Sequence, residues 1–544
     1  MAFGLLTLDL ETAADHCLKW VDDHRWWLLG GIVILYVLGF NGQWHVNPDS
    51  ARYANAARGL VHGQSFTDLD MALIRYPGLT WLMAVVFRVA GEESGFLVLQ
   101  MIMLGLSLST LALTFAIFRL HSSRAVAVMV TCLLAMNLEY YRHAYHALSN
   151  LPFLFGLMLF LLGYELAIVR LSKSGIHKLR IIVASTLLMV VGLAIAVTMR
   201  RTIYIFVAAV IATTAWQMLR QMRSRRRSAF MLNLTILLIA TVVLAGFLLL
   251  IDPRGKNAVA NDLMIPIFQN HTPGELATRF RDQLVEMLEH KTPAAMFGIR
   301  FAPVLNSISA IAVLGLGIAL MRHRRLWGIY IAFMVIAMII HMSSKRYFIS
   351  MIPLFVYAWW CGAVWFNQRF KKPWGDVALI FMLVLWCVPN TIKIVDTIFE
   401  QRRLDFLAHY RHGDYKSRKQ MAAVIEVTAS PNDLILAEEG PVYQFYSRRP
   451  VISSRQFQIW RIRERQQNAS GIIERHMEQA PALYVVQPFD KDLNRWVHQK
   501  LQLRIGPAIE QVRDEINQKH LSLHRAFLPV QVLDAGGSNS DRPP

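Results

Sequence analysis

The sequence predicts a polytopic α-helical membrane protein of about eleven spans. It adds a re-entrant or juxtamembrane helix and a small C-terminal α/β domain outside the membrane. Three observations predict this. Hydrophobic residues make up 55% of the 544 residues and charged residues 17%, too little charge to cover a soluble chain of this length. Long apolar runs recur from residue 26 to residue 396. Short, strongly basic loops separate alternate pairs of them.

The spans read 26–40, 95–118, 124–138, 150–169, 181–199, 202–219, 229–251, 301–321, 326–342, 347–366 and 377–396. The basic loops are 119–124, 170–180, 220–228, 322–325 and 367–375; they hold 17 Lys and Arg and no Asp or Glu. The positive-inside rule puts all five in the cytoplasm. That parity requires the short apolar run 77–91, with Arg88 near its end, not to cross. Residues 1–25 are then cytoplasmic, 26–396 form the membrane domain, and the polar segment 397–534 lies outside, ending in a disordered tail, 535–544. The site is expected on the outer loops 41–94, 139–149 and 252–300.

The net charge of +19 belongs to this topology and not to nucleic acid. The polar segment from residue 397 holds 21 basic and 17 acidic residues, so most of the excess lies in the membrane part. Cys17, Cys132, Cys361 and Cys387 form no readable disulfide framework or metal motif. In the outer segment, LILA (434–437), PVIS (450–453) and ALYVV (482–486) read as strands, and 521–533 as a last strand. The stretches 417–428, 456–479 and 490–518 read as helices.

The candidate chemistry follows the outer loops. Asp49 stands in Asn47-Pro48-Asp49, just after the first span, with Arg52 and Tyr53 on the next turn. It reads either as a helix cap or as a carboxylate that takes a proton from an attacking hydroxyl. Arg75 and Tyr76 precede Pro77 at the start of the short apolar run. They read as interfacial anchors or as a phosphate clamp. Arg200 and Arg201 form a two-Arg turn between spans, on the side where cations are disfavoured. Lys345, Arg346 and Tyr347 repeat the pattern. Guanidinium pairs suit a phosphate or lipid head groups. Loop 139–149 adds Glu139, Arg142, His143 and His146, with Asn150 next; two His alone point to surface or stacking roles more than to a metal. In 275–291 the spacing is that of an amphipathic surface helix.

This combination resembles the GT-C glycosyltransferases, in the branch of the protein O-mannosyltransferases and lipid A aminoarabinose transferases. The resemblance rests on Asp49, on Arg52-Tyr53-Ala54, on Arg75-Tyr76-Pro77-Gly78-Leu79, on Thr198-Met199-Arg200 and on Arg346-Tyr347 with Pro353. It covers about residues 26–366. It implies a polyprenyl-phosphate-sugar donor, inversion at the anomeric carbon, and a periplasmic site on the cytoplasmic (inner) membrane. Asp49 takes the catalytic-base position, and Arg75, Arg200 and Arg346 match donor-phosphate contacts. The acceptor it implies is a periplasmic glycan, lipid or protein. Many relatives carry an acid where this chain has Asn150, within Ser149-Asn150-Leu151-Pro152-Phe153. Glu139 and His146 are the alternative acid/base groups. No cofactor is expected, although the resemblance leaves room for a divalent metal. The rival readings are a transporter or flippase of a lipid-linked or anionic substrate and a non-catalytic lipid-binding scaffold. The spans hold little buried charge beyond Glu165 and show no internal repeat, which counts against a transporter.

Overall fold

The apolar runs fold as helices, because a backbone in hydrocarbon must satisfy its own hydrogen bonds. The computed structural model describes residues 18–63, 76–171, 178–224, 227–246, 272–322, 324–340, 345–370, 374–410, 415–453, 480–487, 504–514 and 519–527. The chain divides into two units: Met1–His45, Leu60–His62 and Ile74–Arg403, and Val46–Gly59, Gly63–Leu73 and Leu404–Pro544.

In the first unit the helices are α1 (Arg25–Leu38), α3 (Gly78–Ala90), α4 (Glu92–Arg119), α5 (Arg124–Ala135), α6 (Leu138–His143) and α7 (Asn150–Leu171). They continue with α8 (Lys178–Met199), α9 (Ile203–Ser224), α10 (Arg227–Gly246), α11 (Pro273–Glu286), α12 (Thr292–Phe297) and α13 (Pro303–Ala319). The last are α14 (Arg325–Ile340), α15 (Lys345–Phe348), α16 (Ile352–Phe370) and α17 (Trp374–Gln401). α2 (Pro48–Val61) clusters chiefly with the second unit.

Among the described residues, five helices are long and apolar enough to cross a membrane: Glu92–Arg119, Asn150–Val169, Arg180–Met199, Ile203–Met222 and Pro303–Arg322. Twenty helical residues span about 30 Å, the thickness of the hydrocarbon core. Shorter apolar helices accompany them, Arg25–Leu38 and Arg325–Ile340 among them. The chain is therefore a multipass membrane protein. The run 77–91 forms the 13-residue α3, about 20 Å long. The expected single span 347–366 is divided: α15 closes at Phe348, a buried turn follows, and α16 starts at Ile352.

Small residues bring α7 and α8 together. A Cβ on Gly192 would lie 2.5 Å from the Phe160 nitrogen and 2.6 Å from the Gly156 oxygen, so the two backbones touch. Buried amides fix the loop that holds α6. Asn137 Nδ2 donates to the Ala295 carbonyl at 2.8 Å, and the Leu138 N–H donates to Asn390 Oδ1 at 2.9 Å. Each satisfies backbone groups that water cannot reach. Glu165, near the end of α7, pairs with His121 at 2.9 Å, both side chains buried.

The second unit holds a five-stranded sheet in the order β2-β1-β3-β5-β4. Its strands are β1 (Leu434–Leu436), β2 (Val451–Ile452), β3 (Leu483–Gln487), β4 (Arg504–Asp514) and β5 (Lys519–Phe527). β2, β1 and β3 run parallel, while β5 is antiparallel to both β3 and β4. Three helices go with them: α18 (Phe406–His409), α19 (Tyr415–Thr428) and α20 (Gly440–Ser447). Met421 and Ile425 of α19 share a core with Ile435, Tyr484 and Leu523 of the sheet. The expected helix 490–518 is corrected by β4, which pairs with β5 along residues 504–514. Its register shifts between Ile505 and Ala508 accommodate Pro507 on an edge strand. The expected helix 456–479 lies outside the described residues.

Candidate functional site

Four motif segments of the first unit converge. Gly78 opens α3 directly against the end of α8. A Cβ there would stand 2.7 Å from Thr198 Oγ1 and 2.9 Å from the Thr198 carbonyl oxygen, an approach only glycine permits. Two residues earlier, buried Tyr76 meets Tyr204 edge-on at 6.5 Å. The Tyr76-Pro77-Gly78 segment and the Thr198-Met199-Arg200 turn are thus neighbours.

Arg200 and Arg201 occupy the turn between α8 and α9, where the Ile203 N–H donates to the Arg200 carbonyl at 3.2 Å. The Arg200 guanidinium lies 5.1 Å from the centre of the Tyr347 ring, and Arg346 lies 6.0 Å from it. Arg201 hydrogen-bonds the phenol. Burial raises the Tyr347 phenol, but Arg200, Arg201 and Arg346 outweigh it and bring it down to about 8. Three guanidinium groups around one side chain repel each other, and an anion offsets that repulsion.

Lys345 extends the cluster through an ion pair with Glu139. Glu139 is buried and Lys345 is half exposed. Burial raises the Glu139 carboxyl, yet Lys345, His143 and Arg142 together hold it below its ordinary value. His143 Nδ1 lies 2.7 Å from the Glu139 carbonyl oxygen, which can only accept. That places a proton on Nδ1, while Nε2 lies 2.7 Å from Asn150 Nδ2. His146 meets His143 and His45 edge-on, each at 5.5 Å. His45 Nε2 lies 3.1 Å from Asn41 Oδ1 and 3.1 Å from Gln100 Nε2. Both loop histidines are buried, which corrects a surface role and leaves the stacking one.

Asp49, Arg52 and Tyr53 belong to the second unit. Asn47 rather than Asp49 caps α2, its Oδ1 accepting from the Asp49 N–H at 2.9 Å. The Asp49 carboxylate accepts from Arg52 at 3.1 Å. Farther along α2, Asn55 Nδ2 donates to the Pro441 carbonyl at 3.0 Å and Arg58 to that of Phe445 at 3.0 Å. Arg75 lies outside the described residues. Sequence reasoning missed Tyr204, Asn41, His45 and Gln100. Only the polar Asn41-Gly42-Gln43-Trp44-His45 stretch after the first span hinted at Asn41 and His45, and nothing in the apolar run 95–118 singled out Gln100. Among the described residues no group of three His, Cys, Asp or Glu side chains gathers as a metal site. The arrangement can bind an anion and order a hydroxyl-bearing ligand beside it.

No protein-family profile matches the chain, and no curated protein does. Solved structures do. ArnT from Cupriavidus metallidurans bound to undecaprenyl phosphate superposes with a TM-score of 0.54 at 12% identity, covering 92% of this chain and 98% of that one. The chain thus shares the fold of this ArnT. The apo state of the same ArnT gives a TM-score of 0.51 at 13% identity, covering 93% and 98%. The Archaeoglobus fulgidus oligosaccharyltransferase, tethered to an acceptor peptide, gives 0.51 at 13% identity, covering 86% of this chain and 70% of its own. The likeness to ArnT thus runs through nearly all of the chain, beyond the stretch that carries the sequence motifs.

Proposed function

We propose that the protein is a glycosyltransferase of the cytoplasmic (inner) membrane that uses a polyprenyl-phosphate-linked sugar. It transfers the sugar to an acceptor on the periplasmic side, where the sheet-bearing unit also resides. The observation that carries this is the group of Arg200, Arg201 and Arg346 around Tyr347, within a GT-C fold. The solved ArnT of this fold is bound to undecaprenyl phosphate.

In this reading Asp49 takes the proton from the acceptor hydroxyl. The acceptor oxygen attacks the anomeric carbon from the face opposite the phosphate, with inversion. The bond from that carbon to the phosphate oxygen breaks, and polyprenyl phosphate leaves with its charge. Arg200, Arg201 and Arg346, with Arg75, stabilise that charge as it develops. His143 orients the Asn150 amide, which binds a substrate hydroxyl in place of an acid. The acceptor is a glycan, a lipid or a protein.

The test incubates detergent-purified protein with a panel of radiolabelled polyprenyl-phosphate sugars and follows binding and polyprenyl-phosphate release. Release by wild type and not by Asp49→Asn, with both binding, is the expected result. Binding of no donor by either protein would sink the reading.

A further inference from the structure

We propose that the groove between α13 and α16 binds one anionic phospholipid. The groove encloses about 510 Å³, and Gly315, Ala319, Arg322, Cys361, Gly362 and Trp365 are among its lining residues. Small-molecule sites run from roughly 300 to 1,000 Å³. Its walls are almost wholly apolar, and none of the lining residues is acidic. Glycine makes the space: a Cβ on Gly315 would meet nothing within 4 Å. Across the groove, a Cβ on Gly362 would press on the Leu316 side chain at 2.7 Å. The mouth is cationic. Arg322 ends the turn after α13 and is exposed, and Arg324 lies against Tyr357 and Cys361.

This place is separate from the candidate site. Lys345, Arg346 and Tyr347 precede the start of α16 at Ile352. Cys361 and Trp365 lie about 14 and 20 Å farther along that helix. α14 likewise connects the Arg322 end to the Lys345 end. Arg322 and Arg324 belong to a basic loop that the positive-inside rule assigns to the cytoplasm, where the leaflet is rich in anionic lipid. An acyl chain fills the apolar floor, which water does not favour, and the phosphate meets Arg322. A zwitterionic lipid would bring its own cation to the same mouth.

The test uses the full-length protein in detergent and native mass spectrometry. Phosphatidylglycerol and phosphatidylcholine of equal chain length compete for it. The expected result is one retained phosphatidylglycerol per chain, about fivefold preferred. Arg322→Gln reduces that preference about fivefold, since one cation near a head group contributes about that factor. Gly315→Leu occupies the floor and removes retention of both lipids. Arg322 is exposed, so its variant carries the test if Gly315→Leu fails to fold. Equal retention of the two lipids overturns the proposal. So does unchanged preference in Arg322→Gln, or displacement by equimolar polyprenyl phosphate, which would give the groove to the donor carrier.

Discussion

Arg58 donates a hydrogen bond to the Phe445 carbonyl at 3.0 Å while its guanidinium lies 4.4 Å from the centre of the Phe445 ring. One side chain thereby joins α2 to α20, elements 387 residues apart in the chain. Arg58→Ala should weaken the second unit by about 1–2 kcal/mol, through a lost charged hydrogen bond and ring contact. Protease cutting within residues 46–63 measures it, and rates equal to wild type would refute the tie.

Asp49→Asn should keep donor binding and lower sugar transfer by about 10²–10⁴-fold, the usual contribution of a positioned general base. Arg52 reports on the same carboxylate, which it holds at 3.1 Å. Single-turnover release of polyprenyl phosphate separates the two effects. Full release by the variant would move the base to Glu139 or His146.

Tyr347 should make donor binding pH-dependent. Its phenol ionises at about 8, and the phenolate competes with the donor phosphate for Arg200 and Arg201. Affinity should therefore fall as pH rises through 8. Tyr347→Phe should bind with no such step. Arg200→Gln should weaken binding about tenfold at every pH below that step, the worth of one charged hydrogen bond. Donor titrations from pH 6 to 10 decide both.

The Glu139–Lys345 pair should stabilise the fold above the ordinary carboxyl range and lose that effect in acid. The folded carboxyl lies below its ordinary value, so protonation comes at lower pH in the folded state. The contribution is present in full above the unfolded value and fades as pH falls through the folded one. Lys345→Met should cost about 1–3 kcal/mol, less than a fully buried pair because Lys345 is half exposed. Glu139→Gln with Lys345→Met should recover part of the loss and flatten the acid limb of a melting-temperature profile.

Gly78→Ala should disturb the site without touching a charged group. The new methyl would fall 2.7 Å from Thr198 Oγ1 and 2.9 Å from its carbonyl. Parting α3 from the Arg200 turn should cost about 1–3 kcal/mol. Adding Thr198→Ala should rescue only the hydroxyl part, because the carbonyl remains. Melting temperature and donor affinity falling together would fit; unchanged values for both would contradict the contact.

The sequence by itself determined that the chain is built of several apolar helices, and it marked the motif segments. Hydrocarbon demands about 20 apolar residues per crossing, and that demand is written locally. Cations such as Arg200 and Arg346 stood out because the topology expected from the basic loops puts them where charge is disfavoured. Tertiary structure decided what depends on partners distant in the chain. It set Arg200, Arg201 and Arg346 around Tyr347 and took Lys345 to Glu139. It assigned the proton on His143 by placing an acceptor-only carbonyl at Nδ1. It made 504–514 a strand, because β5 offered a ladder that local charge spacing could not reveal. It also drew α2 to Pro441 and Phe445, whose carbonyls carry no signal in the residues that bind them.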